Sequence, residues 1–112
     1  MQLIARTPIS IAINTALSVA VPINGNLLCM LEMPAAWTTA NITFQSSGDG
    51  ATYQNLYDEY GNEITIVTAV ARNITLDPAR LAGCKYLKFR SGTAAVPVNQ
   101  TAARTFFINL WE

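Results

Sequence analysis

The chain has 112 residues, of which 51% are hydrophobic and 12% charged, and its seven basic and seven acidic side chains cancel to a net charge of zero. This length fits one domain over residues 1–112, and the apolar share supports a packed core and excludes a disordered segment. The charged share is about half the ordinary one, so part of the surface is expected to lie against a partner, while the lack of a basic excess argues against nucleic acid.

Read from the N-terminus, the runs Ile9-Ile11-Ile13, Leu17-Val19-Val21 and Leu27-Cys29-Leu31-Met33 place apolar residues at every second position. The same alternation recurs with Ile42 and Phe44 in Asn41 to Gln45, with Ile64 and Ile66 in Glu63 to Thr68, and with Leu87 and Phe89 in Tyr86 to Arg90. In Arg104 to Trp111, Phe106, Ile108 and Leu110 share one face. A period of two marks half-buried antiparallel strands. Chain reversals are expected at Asn24-Gly25, Gly48-Asp49-Gly50, Gly61-Asn62, Asp77-Pro78 and Ser91-Gly92, where Gly and Asn tolerate positive φ and Pro pre-sets a turn. Pro78 to Ala82 reads as one helical turn capped by Asp77. Seven or so short strands with regular turns predict an all-β fold, an antiparallel β-sandwich of jelly-roll type.

The apolar segment Ala16 to Ile23 is too short to span a bilayer, so no membrane partner is expected. No charged region followed by a long apolar stretch opens the chain, and the expectation is synthesis and retention in a cytoplasm. The sequons at Asn41, Asn73 and Asn99 then read as ordinary Asn and Thr of a β-rich chain.

Catalytic chemistry has little to work with. The chain has no histidine, so it lacks the commonest general base and metal ligand and any Ser-His or Cys-His pair. The two cysteines lie far apart in sequence, without zinc-site spacing, and no glycine loop precedes a helix. Asp49, Asp58, Glu59 and Glu63 could form an acid pair or a calcium site, but Asp49 is accounted for by its Gly-Asp-Gly turn and the others by solvation. No catalytic residue, cofactor or metal is expected. Trp37, Tyr53, Tyr57 and Tyr60 could form a platform for sugar rings or could seal the rim of the sandwich, and packing is the favoured reading. Lys85, Lys88 and Arg90 read as a solvated strand face. Cys29 shares the parity of Leu27, Leu31 and Met33 and is expected to be buried and inert. Cys84 is expected to be exposed, and Lys85 beside it would favour the thiolate, which makes Cys84 the candidate redox-active thiol.

Ile42 to Gly61, I-T-F-Q-S-S-G-D-G-A-T-Y-Q-N-L-Y-D-E-Y-G, resembles the central stretch of discoidin-like, galactose-binding-type jelly rolls, and Ala79 to Arg90 is similar to that family's returning strand. The resemblance implies a jelly roll, although the part before it is shorter than in full discoidin domains. Met33-Pro34-Ala35-Ala36-Trp37, the F-Q-S-S-G-D-G segment and Arg90 to Gln100 resemble small proteins encoded among tailed-phage capsid and tail genes. That resemblance implies a virion structural component, a capsid decoration (cement) protein that binds the major capsid protein and copies of itself. A carbohydrate-binding module on a virion is the alternative. Self-association, as a trimer, is expected from the low charge. The uncharged Ser91 to Thr101 is expected to be an extended arm, with Ala94, Ala95, Val96, Pro97 and Val98 as candidate partner contacts. Cys84 would then staple neighbouring subunits once virions leave the reducing cytoplasm.

Overall fold

The computed structural model describes residues 3–112, with side chains from residue 5 onward. Eight strands follow one another: β1 (Leu3–Ile11), β2 (Val21–Pro22), β3 (Leu27–Glu32), β4 (Ile42–Ser47), β5 (Gln54–Asn55), β6 (Asn73–Thr75), β7 (Tyr86–Ser91) and β8 (Arg104–Trp111). They form two four-stranded antiparallel sheets, ordered β1-β8-β3-β6 and β2-β7-β4-β5. Within each sheet β1 lies beside β8, β2 beside β7, β3 beside β6 and β4 beside β5. The chain is thus one long antiparallel ribbon, doubled at the β4–β5 turn and rolled into a sandwich, which is the jelly-roll order.

Alternation explains most of the core. Ile9, Ile11, Phe44, Leu87, Phe89, Phe106, Ile108 and Leu110 point between the sheets and are buried. Phe89 meets both Phe44 and Phe106 edge-to-face, with centroids 5.1 and 5.6 Å apart. That arrangement suits the quadrupoles of the rings and adds about 1 kcal/mol per pair beyond area burial. Ile64 and Ile66 are buried as expected. Their segment joins the sheet through the mutual backbone bonds of Ile66 and Ile42 and a bond from Ile64 N to Leu56 O. Pro78–Leu81 is a single 3-10 turn, and the Asp77 carboxylate accepts from Ala79 N at 3.0 Å, as a cap should.

Three runs depart from simple parity. In β3 the buried residues are Leu28 and Leu31, followed by Met33 just past the strand, because the register shifts between Leu28 and Met30. An extra residue of this kind is a β-bulge, and it turns Cys29 out of the core to a half-buried position, contrary to its parity. Ile9 and Ile11 are buried, but β1 ends at Ile11 and Ile13 is 55% exposed. Leu17-Val19-Val21 is not one strand. Ser18 exchanges bonds with Phe89 of β7, its N donating to Phe89 O and its Oγ accepting from Phe89 N, so Val19 turns outward and only Val21 reaches the core.

Candidate interaction surface

The registers bring four connections to one end of the sandwich. Ile11 lies opposite Arg104, Glu32 opposite Asn73, and Ile42 opposite Ser91. The segments 12–20, 33–41, 56–72 and 92–103 therefore share this loop end. Three of them, 12–20, 33–41 and 92–103, contain no charged residue. Among the described residues, every large apolar side chain left exposed belongs to these loops: Ile13, Val19, Tyr57, Tyr60, Val67, Val70 and Val96. This end thus combines three neutral loops with exposed apolar tips.

Buried polar side chains hold the loops in place. Gln100 is fully buried. Its Nε2 donates to Thr38 O at 3.0 Å and Ser91 Oγ at 2.8 Å, and its Oε1 accepts from Thr38 N at 2.8 Å and Arg104 Nε at 3.2 Å. Its backbone N donates to Thr15 O and its carbonyl accepts from Asn14 N. One residue thus ties three segments together, its backbone holding 12–20 to 92–103 and its side chain holding 33–41, and its four side-chain bonds offset the cost of burying it.

A second cluster lies on the outer face of β7. Arg90 is buried, not solvated. Its Nε donates to Thr43 Oγ1, one Nη to Asn55 Oδ1 and the other to Glu63 Oε2 at 2.9 Å. The same Glu63 oxygen accepts from Ala94 N at 2.9 Å. Glu63 is therefore no free surface carboxylate: it pairs with a buried guanidinium and anchors loop 92–103.

That loop is not an extended arm. It folds back on itself, with a bridge between Gly92 and Pro97 and bonds from Thr93 N to Val96 O and from Val98 N to Ser91 O. Gly92 makes the reversal possible. Its φ is +92°, and a Cβ there would stand 2.6 Å from Val96 O and Val98 N. Ala94 and Val98 are half-buried against the body, while Ala95, Val96 and Pro97 form the exposed tip.

The remaining candidates are dispersed. Asp49 closes its own turn, its Oδ1 accepting from Ala51 N, Thr52 N and Ser47 Oγ. These donors pull its carboxyl down to about 2, the Thr52 N–H contributing most. Asp58 does the same for Tyr60 N and Asn62 N. Glu59 is exposed. Among the described residues no three His, Cys, Asp or Glu side chains converge. Trp37 is buried, edge-to-face on Phe106 at 5.9 Å, with its Nε1 donating to Ala40 O, so it packs the core and leaves no face for a sugar ring. Both cysteines are free thiols. Cys84 is half-buried against the core, and burial pushes its thiol pKa up, opposite to the activation expected from Lys85.

The described chain is thus a jelly-roll sandwich with a loop-built end, three of whose four loops carry no charge. In comparisons with known proteins it matches no family model, no curated protein and no solved structure.

Proposed function

We propose that this chain is a non-enzymatic structural protein of a virion that seats its loop end on the major capsid protein and reinforces the shell. The supporting observation is the composition of that end: three charge-free loops and exposed Ile13, Val19 and Val96, on a frame fixed by Gln100 and the Arg90–Glu63 pair. Preorganised loops lose little conformational entropy on docking, and their apolar tips supply a desolvating contact. Repeated symmetric copies around a lattice would suit such a cement role.

The test is to add the purified protein to particles that lack it and locate bound copies by electron microscopy. Parent protein should occupy regular sites through the loop end, and Val96→Asp and Ile13→Asp should lose occupancy while keeping the far-ultraviolet spectrum of the parent. Full occupancy by both variants, or none by the parent, would reject the reading.

A further inference from the structure

The outward face of the β1-β8-β3-β6 sheet has a composition that a free antiparallel face does not call for. Phe106, Ile108 and Leu110 point into the core, so Phe107, Asn109 and Trp111 point away from it. Phe107 and Trp111 are half-buried, as are Leu27, Cys29 and Met30 on β3. Beside Trp111 a groove of ≈ 350 Å³ is lined by Cys29, Met30, Thr75, Leu76 and Asn109. One opposite pair of charges lies across this apolar field. Arg6 on β1 lies opposite Asn109, Glu32 on β3 lies opposite Phe107, and β8 runs between them. The Arg6 guanidinium stacks on Phe107 at 3.6 Å and reaches Glu32 at 3.0 Å, yet its side chain remains 52% exposed.

We infer that this face is the contact between two copies of the chain, related by a two-fold axis that lies in the plane of the interface and runs close to the direction of β8. Such an axis exchanges the two sides of β8, so Arg6 of one copy comes over Glu32 of the other, and the reverse, while the apolar side chains of β3 and β8 become covered. The neutral, oppositely charged pattern is self-complementary, as an isologous interface requires. A partner with a uniform charge would gain from one side of the face and lose on the other. The molecule measures 34 × 28 × 25 Å, so one face offers on the order of the ~800 Å² per partner that a specific interface takes. Pairing by strand addition at β1 is disfavoured by Pro8, which has no N–H to donate in the middle of that edge strand. The assembly unit is then a dimer instead of the trimer expected from composition, and the loop ends stay free for the shell.

Sedimentation of the parent protein through the micromolar range should show a monomer–dimer equilibrium. Arg6→Glu and Glu32→Arg should each weaken it at least about tenfold through like-charge contact. Mixing the two variants should restore a dimer, because one copy then carries two acids where the other carries two bases. A pair that acts solely within one chain gives no rescue on mixing. In the parent, peroxide oxidation of Met30 should also slow as protein concentration rises. A parent that stays monomeric, single variants that dimerise like the parent, a mixture that stays monomeric, or Met30 oxidation independent of concentration would each overturn the inference.

Discussion

The two ends of the sandwich solve the same problem, closing connections between strands, by different means. At the turn end, the connections at Asp49 and Asp77 are closed by groups within a few residues of one another, and the Gly25 connection adds to its local bond two from Ile23 N and Asn24 N to Lys85 O. Asp49 closes 47–52, and Asp77 caps the 3-10 turn that follows it. At the loop end, Gln100 bonds to Thr38 from 62 positions away, and Arg90 bonds to Glu63 from 27. Local closure makes the Asp49 turn independent of the loop end. Remote closure makes the loops one unit, in which damage at one node spreads to the rest, and the polar groups that hold it are buried while apolar groups face outward.

The sharpest way to break the contrast is Gln100→Ala. Thr38 N, Thr38 O and Ser91 Oγ would lose their partner in a buried site, and a cavity would remain. Stability should fall by about 3 kcal/mol, measured as a lower urea midpoint. Amide exchange should accelerate in segments 12–20, 33–41 and 92–103 together and stay unchanged around Asp49. Faster exchange in one of these loops alone would show that they are not a unit.

Glu63→Ala should cost slightly less, about 2 kcal/mol, because it leaves the Arg90 guanidinium buried without its carboxylate and frees Ala94 N. The pair is not wholly buried, with side-chain exposures of 7% and 16%, so the cost lies below that of a fully enclosed ion pair. Adding Arg90→Met should recover part of the loss, since the stranded charge is then gone. A double variant less stable than Glu63→Ala would mean that Arg90 contributes mainly through Thr43 and Asn55. Gly92→Ala tests the backbone of the same loop. The positive φ and the collision with Val96 O and Val98 N should cost about 1–2 kcal/mol, again by urea midpoint.

The same contrast explains what could be read from the residues in order. The sandwich, its inward-facing residues, the Asp49 turn and the Asp77 cap were legible because each depends on neighbours one to four positions away. The bulge at Cys29 was not, since Leu27, Cys29, Leu31 and Met33 keep perfect parity and only the pairing with β8 shows that Leu28 and Leu31 are the buried pair. Gln100 and the Arg90–Glu63 pair were illegible for the same reason: their partners are remote, and a polar residue in an uncharged loop looks solvated until the fold encloses it.

The smallest effect belongs to the turn end and should appear as a pH dependence. The Asp49 carboxyl is held at about 2, below its ordinary 3.8, because the ionised form accepts from Thr52 N, Ala51 N and Ser47 Oγ. A depressed carboxyl pKa stabilises the fold when the group is ionised, so this contribution is complete above 3.8 and disappears as pH falls towards 2. Asp49→Asn keeps an oxygen that can accept from the same donors but cannot ionise, so it should be less stable than the parent at neutral pH and draw level with it near the acid end. Other carboxyls, including Asp58 and Glu32, are also held low, and they titrate in both proteins, so the difference between the two profiles isolates Asp49. Urea midpoints measured from neutral pH to about 2 supply that difference. Parallel profiles would show that the turn does not draw on the charge of Asp49, and faster exchange in 12–20 or 92–103 of the variant would show that the two ends are coupled after all.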